Sequence, residues 1–323
     1  MSNSSLLIGD IGGTHARFAI ADETAPGFSE ESTLQCADFE SPEAAIRRYL
    51  DNVSAPAPGV ICLAAAGPIV NGTVSLTNSP WSISADELAA DFSTDAIQLL
   101  NDFEAVAYSI PFLGSDDCLP IGLPDSHSLD ESGYTVGILG PGTGLGKAGL
   151  VKHGGELVTL SGEAGHTGFA PETQVQLDIL TMLRERFDRV STEHIVSGPG
   201  IENIYWALAR IHGDERPQLS AADIFARANE NSESISSEAV QVFFEVLGQV
   251  AGDLAMSLGA NDGIYIAGGI AQRYPELLAN SRFRNGFESK GPHRSIMERI
   301  QTQLIVYPQP GLLGASYVAR KLM

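Results

Sequence analysis

An aspartate follows a short apolar run at Asn101-Asp102-Phe103-Glu104-Ala105, directly after residues 97–100. A carboxylate delivered by a strand end is well placed to take a proton from a hydroxyl. Two glycine-rich turns stand on either side of it in the chain, Gly9-Asp10-Ile11-Gly12-Gly13-Thr14 and Gly140-Pro141-Gly142-Thr143-Gly144-Leu145-Gly146. Glycines let a backbone approach phosphate closely and aim N–H groups at it. A candidate base with two such turns points to phosphoryl transfer from a nucleotide to an alcohol.

Better-known motifs do not account for these turns. Pro141 to Ala148 comes near a P-loop, but Pro141 replaces the first glycine and Ala148 the magnesium-binding hydroxyl. Gly144-Leu145-Gly146-Lys147-Ala148-Gly149 has the dinucleotide spacing, yet a strand rather than a helix is expected to follow. No His-Glu-x-x-His and no Gly-x-Ser-x-Gly occurs, so zinc peptidase and serine hydrolase readings have no anchor. Either turn alone reads equally as an ordinary tight hairpin. Both together, with Asp10, Asp102 and Gly268-Gly269, favour ligand binding. Thr14 and Thr143 add hydroxyls beside the turns. Asp10 suits Mg²⁺ held through water, with a local turn cap as its plainer role. Gly268-Gly269 would let a flat ligand face approach the backbone, or would serve close helix–strand packing.

Polar residues with sugar-binding chemistry lie nearby in sequence. Asn101 can donate to and accept from a polyol, while Asp102 has helix capping as its alternative role. Glu163 and His166 sit in Ser161-Gly162-Glu163-Ala164-Gly165-His166, and Glu193 precedes His194 and Ser197-Gly198-Pro199-Gly200. Singly, Glu193 reads as a solvated charge and His166 as a structural histidine. Their company beside glycine-rich segments favours hydroxyl binding.

The elements that must position these groups alternate. Residues 6–9 and 17–21 read as strands around the first turn, and Ser41-Pro42 as the start of a helix. Residues 60–65 form an apolar strand, Ser84 and Glu87 have capping-box spacing, and 97–100 form the strand that delivers Asn101 and Asp102. Residues 134–139 and 147–151 repeat the strand–turn–strand plan. Helices are expected over 178–187, 236–259 and 312–322, with strands at 264–267 and 304–307. The repeated plan suggests two related α/β domains, 1–112 with 306–323 and 113–305.

The composition agrees with a globular protein. Of 323 residues 43% are hydrophobic, and 40 Asp and Glu against 19 Lys and Arg give a net charge of −21. Nucleic acid and anionic membrane are therefore not expected partners, whereas ATP with its phosphates screened by Mg²⁺ is compatible. Cys36, Cys62 and Cys118 form no zinc or disulfide spacing. No signal peptide and no run of membrane-spanning length is apparent, so a soluble cytoplasmic protein is the plain reading.

At this point the chain resembles the bacterial glucokinase family of hexokinase-like sugar kinases, in the actin-like ATPase-domain superfamily. Asp10-Ile11-Gly12-Gly13-Thr14-His15-Ala16-Arg17 resembles the first phosphate motif, and Leu139-Gly140-Pro141-Gly142-Thr143-Gly144-Leu145-Gly146 the second. Ala267-Gly268-Gly269-Ile270 resembles the adenosine motif, and Pro310-Gly311-Leu312-Leu313-Gly314 the closing segment. The resemblance implies a two-domain actin-like (ribonuclease H-like) α/β fold with an interdomain cleft, a homodimer, and the substrates ATP and glucose. It implies glucose binding by Asn101, Asp102, Glu163, His166 and Glu193, with Asn78 as a weaker candidate. Asp102 would also be the catalytic base. Asp10, Gly12, Gly13, Thr14, Gly140, Gly142, Thr143 and Gly144 would organise Mg²⁺ and phosphate, and Gly268 and Gly269 would face adenosine. His15 stands where many relatives carry asparagine. The cysteines of the zinc-binding relatives are missing after His166, so zinc is not expected. A kinase for another hexose or aminosugar, an ATP hydrolase and a nonenzymatic sugar sensor are the competing readings.

Overall fold

The computed structural model describes residues 5–76, 81–122, 129–214 and 217–323. The chain forms two compact units, the first comprising Met1–Gly114, Thr159–Gly162 and Tyr307–Met323, the second Ser115–Val158 and Glu163–Val306. Thr159–Gly162 thus belongs with the first unit, inside a stretch expected to lie wholly in the larger domain. The Thr159 hydroxyl donates to Glu104 Oε1 at 2.8 Å, which accounts for part of that attachment.

The first unit is built on strands β1 (Ser5–Ile11), β2 (His15–Ala21), β3 (Phe28–Gln35), β4 (Pro58–Ala65) and β8 (Ile97–Asn101), in the order β3-β2-β1-β4-β8. β1 runs antiparallel to β2 and parallel to β4, and β4 runs parallel to β8. Alternation along β1 sends Leu7 and Ile11 to one face and Leu6 and Ile8 to the other. The same alternation in β4 separates Ile61, Leu63 and Ala65 from Val60, Cys62 and Ala64. Both faces are therefore apolar, which explains the continuous run at 60–65.

Helix α1 (Pro42–Val53) covers one face, with Ser41 accepting the Ala44 N–H at 3.3 Å as the expected cap. The small sheet β5 (Ile69–Val70), β6 (Thr73–Ser75), β7 (Ser82–Ser84) and helix α2 (Ala85–Phe92) follow, with Val74, Ile83 and Leu88 in that core. Ser84 accepts the Glu87 N–H at 3.4 Å, as its spacing predicted. The opposite face holds α3 (Asp102–Ser109) and the C-terminal helix Pro310–Lys321. A side-chain carbon at Gly314 would strike the Ala105 carbonyl, so glycine is what lets these two helices meet.

The second unit repeats the plan with β9 (Cys118–Pro120), β10 (Gly133–Pro141), β11 (Leu145–His153), β13 (Ile264–Ile266) and β14 (Thr302–Ile305); its sheet, ordered β12-β11-β10-β13-β14-β9, ends on β12 (Glu156–Ser161), whose residues from Thr159 onward cluster with the first unit. Its hairpin β10–β11 and parallel neighbours β13 and β14 match β1–β2, β4 and β8, and β9 adds an antiparallel edge. Helices α4 (Gln174–Leu183), α5 (Gly198–Ile211), α6 (Ala221–Asn229), α7 (Ser234–Leu258) and α8 (Gly269–Arg273) belong to it, with the short helices Pro275–Ala279, Phe283–Glu288 and Arg294–Met297. α7 ends at Gly259, whose φ of 66° is the left-handed conformation of a helix stop. By length and composition alone α7 passes for a membrane span. It is instead mostly buried, with Phe243, Leu247 and Ala251 fully enclosed among Ile204, Phe225 and Phe283 of the unit's core.

Candidate active site

Strand register assembles the first half of the site. Ile11 pairs with Ala65, and Ala65 with Asn101, so the ends of β1, β4 and β8 lie side by side. The last residues of β1 (Asp10, Ile11), the turn Gly12-Gly13-Thr14, the facing His15 and Arg17 of β2, and Ala66 and Asp102 just past β4 and β8 line one pocket of about 240 Å³. Asp102 therefore shares a concavity with the first glycine turn although it stands 88 positions after Thr14 in the chain.

The helix cap belongs to Asn101 rather than to Asp102, a correction to the sequence reading. Asn101 Oδ1 accepts the N–H groups of Phe103 at 3.0 Å and Glu104 at 3.4 Å, while Glu104 Oε2 accepts the Asn101 N–H at 3.3 Å. Asn followed three residues later by Glu carries the spacing of this reciprocal box in the sequence itself. Asp102 occupies the first helical position, and its Oδ1 also accepts the Phe103 N–H at 2.9 Å. Capping engages Asn101 Oδ1, so the amide Nδ2 is the end of this side chain with donor capacity beyond the cap.

Asp10 pairs across the hairpin with Arg17, whose Nη1 lies 3.5 Å from Asp10 Oδ2. Burial pushes the Asp10 carboxyl above the usual carboxylate range, and the Arg17 guanidinium pulls it back in part. A side-chain carbon on Gly311 would sit 3.6 Å from Asp10 Cγ, so the first turn of the C-terminal helix flanks this carboxylate. A desolvated carboxylate of this kind fits a hard cation held through water. Arg17 also lines the pocket, a position that the motif alone does not assign.

The first turn closes through the Gly12 N–H, which donates to the His15 carbonyl at 2.9 Å. Cys36 buttresses it, its N–H donating to Thr14 O at 2.9 Å and its thiol lying 3.6 Å from Gly12 O. His15 is exposed and lies 2.9 Å from Gln35 Nε2, beside the turn as a hydrogen-bonded histidine. Gly12, Gly13, Gly142 and Gly144 all lack positive φ. Their glycine therefore does not answer the left-handed backbone requirement of tight primed hairpins.

In the second unit the Gly142 N–H donates to Gly144 O at 2.8 Å, and Gly142 O accepts the Gly198 N–H at 2.8 Å. Nothing lies within 4 Å of where a Gly142 side-chain carbon would stand, and Thr143 is exposed. Gly140 differs, because a carbon there would run into the Ala267 carbonyl. Gly268, at φ 88°, would place one 2.6 Å from Pro141 O. Both residues thus serve close packing of β10 on the strand-to-helix turn after β13. Gly269 has open space at the corresponding position.

Glu193 and His166 come together beside this second turn. Glu193 Oε2 accepts the Leu145 N–H at 2.8 Å, and Oε1 lies 4.0 Å from His166 Nδ1. The loop bearing His166 is anchored by Lys147 Nζ to Ala164 O at 2.9 Å, Glu193 N–H to Gly165 O at 3.0 Å and Arg189 Nη1 to His166 O at 2.8 Å. Gly165 must be glycine, since a side-chain carbon would meet the Leu145 carbonyl. Glu163 is exposed at the start of this loop, its carbonyl accepting the His166 N–H at 3.1 Å. His194 is structural: it stacks on Phe187 at 4.2 Å, and Nδ1 accepts the Ser191 N–H at 3.0 Å. Burial holds it below the ordinary histidine range. Asn78 lies outside the described residues.

The segment Ser197-Gly198-Pro199-Gly200 is the start of α5. Ser197 Oγ accepts the Gly200 N–H at 3.0 Å, with Pro199 in the first turn.

Comparison with known proteins gives a consistent result. The sequence profile of the glucokinase family matches residues 7–322. A glucokinase from Nitrobacter hamburgensis is 43% identical over 311 residues, 95% of each chain. One from Caulobacter vibrioides is 41% identical over 316 residues, 96% of this chain and 93% of its own. The crystal structure of a glucokinase from an Antarctic psychrotroph aligns with a TM-score of 0.85 at 37% identity, covering 96% of both chains. The paired sheets are those of the two-domain actin-like ATPase fold.

Proposed function

Because the chain belongs to the glucokinase family, we propose that it transfers the γ-phosphoryl group of ATP to the O6 hydroxyl of D-glucose, with Asp102 as general base. The observation that carries this reading is the shared pocket in which the Asp102 carboxylate and the Gly12–Thr14 turn line one surface. A base for a hydroxyl and a phosphate-sized turn within one concavity favour transfer to an alcohol over the hydrolase and sensor readings.

In the proposed mechanism Asp102 accepts the O6 proton as the oxygen attacks phosphorus. The Asn101 amide and the side chains of Glu163, His166 and Glu193 take the remaining hydroxyls, and Asn78 joins them on the strength of the family motif alone. Hairpin closure already uses the Gly12 and Gly142 N–H groups. Phosphate oxygens are therefore assigned to the turn tips at Gly13, Thr14, Thr143 and Gly144. Gly12, Gly140 and Gly142 shape the approach, and Gly269 beside Gly268 offers the open backbone for adenosine. Asp10, supported by Arg17, would hold Mg²⁺ through water, and that ion supplies charge neutralisation on the phosphates. Turn N–H donors stabilise the transferring oxygens without reorganising. The enzyme would work as a cytoplasmic homodimer.

The test is an ATP-dependent phosphorylation screen over glucose, mannose, fructose, glucosamine and N-acetylmannosamine, with product regiochemistry measured. Glucose as preferred acceptor and phosphate on O6 are the expected results. A preferred acceptor other than glucose, or ATP turnover independent of sugar, would overturn the reading.

A further inference from the structure

One carboxylate outside the assigned roles makes two contacts that bear on the site. Glu104 Oε2 accepts the N–H of Asn101, the residue preceding Asp102, at 3.3 Å, while Oε1 accepts the Thr159 hydroxyl at 2.8 Å. Its charge also bears on the strand beneath, for it joins burial in raising the thiol of Cys62 in β4. Thr159 is half-buried on β12 between exposed Val158 and Leu160, so its hydroxyl side faces inward. Three residues further on, Gly162 ends the segment that clusters with the first unit, and Glu163 opens the loop carrying His166.

We propose that Glu104 is a positioning residue that fixes, with its two oxygens, both the backbone presenting Asp102 and the segment leading into Glu163. The proposal rests on the sugar-kinase reading above. Hydrogen bonds to a charged acceptor are among the stronger ones, and an ionised carboxylate can serve two donors at once. A glutamine can keep both contacts in another way: its oxygen accepts the Asn101 N–H and its amide donates to the Thr159 hydroxyl. A valine at 159 removes the second contact and leaves the helix cap intact.

The test measures kcat, KM for glucose, KM for ATP and Tm in T159V, E104Q, E104A and the E104A/T159V double variant. T159V should raise the glucose KM about tenfold while leaving the ATP KM within about twofold of wild type and Tm nearly unchanged. E104Q should remain close to wild type in every parameter. E104A should raise the glucose KM as T159V does and also lower kcat, and adding T159V to it should change nothing further, since paired residues are non-additive. A wild-type glucose KM in T159V, or independent effects of the two substitutions, would overturn the proposal. Should E104A fail to fold, T159V and E104Q still decide. Failure of the base assignment would show separately, as a D102N enzyme with unchanged kcat, and would not alter the coupling between residues 104 and 159.

Discussion

The Glu193 carboxylate accepts the Leu145 N–H at 2.8 Å, so the residue that approaches His166 also braces the glycine turn ending at Gly144. A carbon added to Gly144 would stand 2.5 Å from that same carboxylate oxygen. The proposed sugar and phosphate elements of the second unit are thus mechanically joined through one side chain.

Two substitutions separate the functions of this pair. E193A removes a charge-assisted bond from the turn and should raise KM for glucose and for ATP, each by about tenfold. H166A leaves the turn alone and should raise the glucose KM only. Steady-state kinetics with each substrate varied in turn checks the contrast.

Glycines that look alike in sequence should respond differently. Gly142 has no positive φ and no neighbour where a side chain would go, so G142V should fold with near-normal Tm and lose ATP affinity by about tenfold or more. Gly140 packs against the Ala267 carbonyl, so G140A should cost about 1–3 kcal/mol of stability through overpacking. Thermal melts alongside ATP titrations distinguish the two outcomes.

Lys147 is only 8% exposed, and burial lowers its ammonium to about 8 while Nζ donates to Ala164 O. Between that value and the ordinary 10.5, the unfolded chain binds the proton more readily than the folded one. The residue's contribution to stability therefore rises with pH across that window, and the cost of burying its charge is complete below it. The Tm of wild type relative to K147M should increase from pH about 7.5 to about 9.5. A constant or falling difference would contradict the assignment.

Asp10 presents the opposite sign. Its folded carboxyl is raised, so the ionised form costs stability that is fully felt above the folded value. D10N should therefore melt no lower than wild type in Mg²⁺-free buffer at neutral pH. The same variant should lose kcat, and should lack the Mg²⁺-dependent gain in Tm with ATP that is expected of wild type.

Much of this architecture was legible in the chain. The apolar strands at 6–9 and 60–65, the Ser41-Pro42 cap and the long helix ending at Gly259 carry local signals strong enough to survive folding. What local pattern could not reveal was pairing over distance, such as Glu193 with Leu145 or Thr159 with Glu104. Edge strands β3 and β12, with mixed polar sequences and one solvated face, gave no clear periodicity. The Ser197 cap with Pro199 was a readable helix start, but the two flanking glycines masked it. At Asn101 and Asp102 the order of roles depended on one residue of register, which only the assembled sheet supplies.

Asp102 as the proton acceptor is the central claim, and D102N tests it most directly because it preserves shape while removing basicity. Parallel measurement of kcat and of glucose Kd by tryptophan fluorescence or calorimetry should show kcat reduced by about 10²–10⁴-fold with Kd within about threefold of wild type. A D102N enzyme that turns over at close to the wild-type rate would contradict the account.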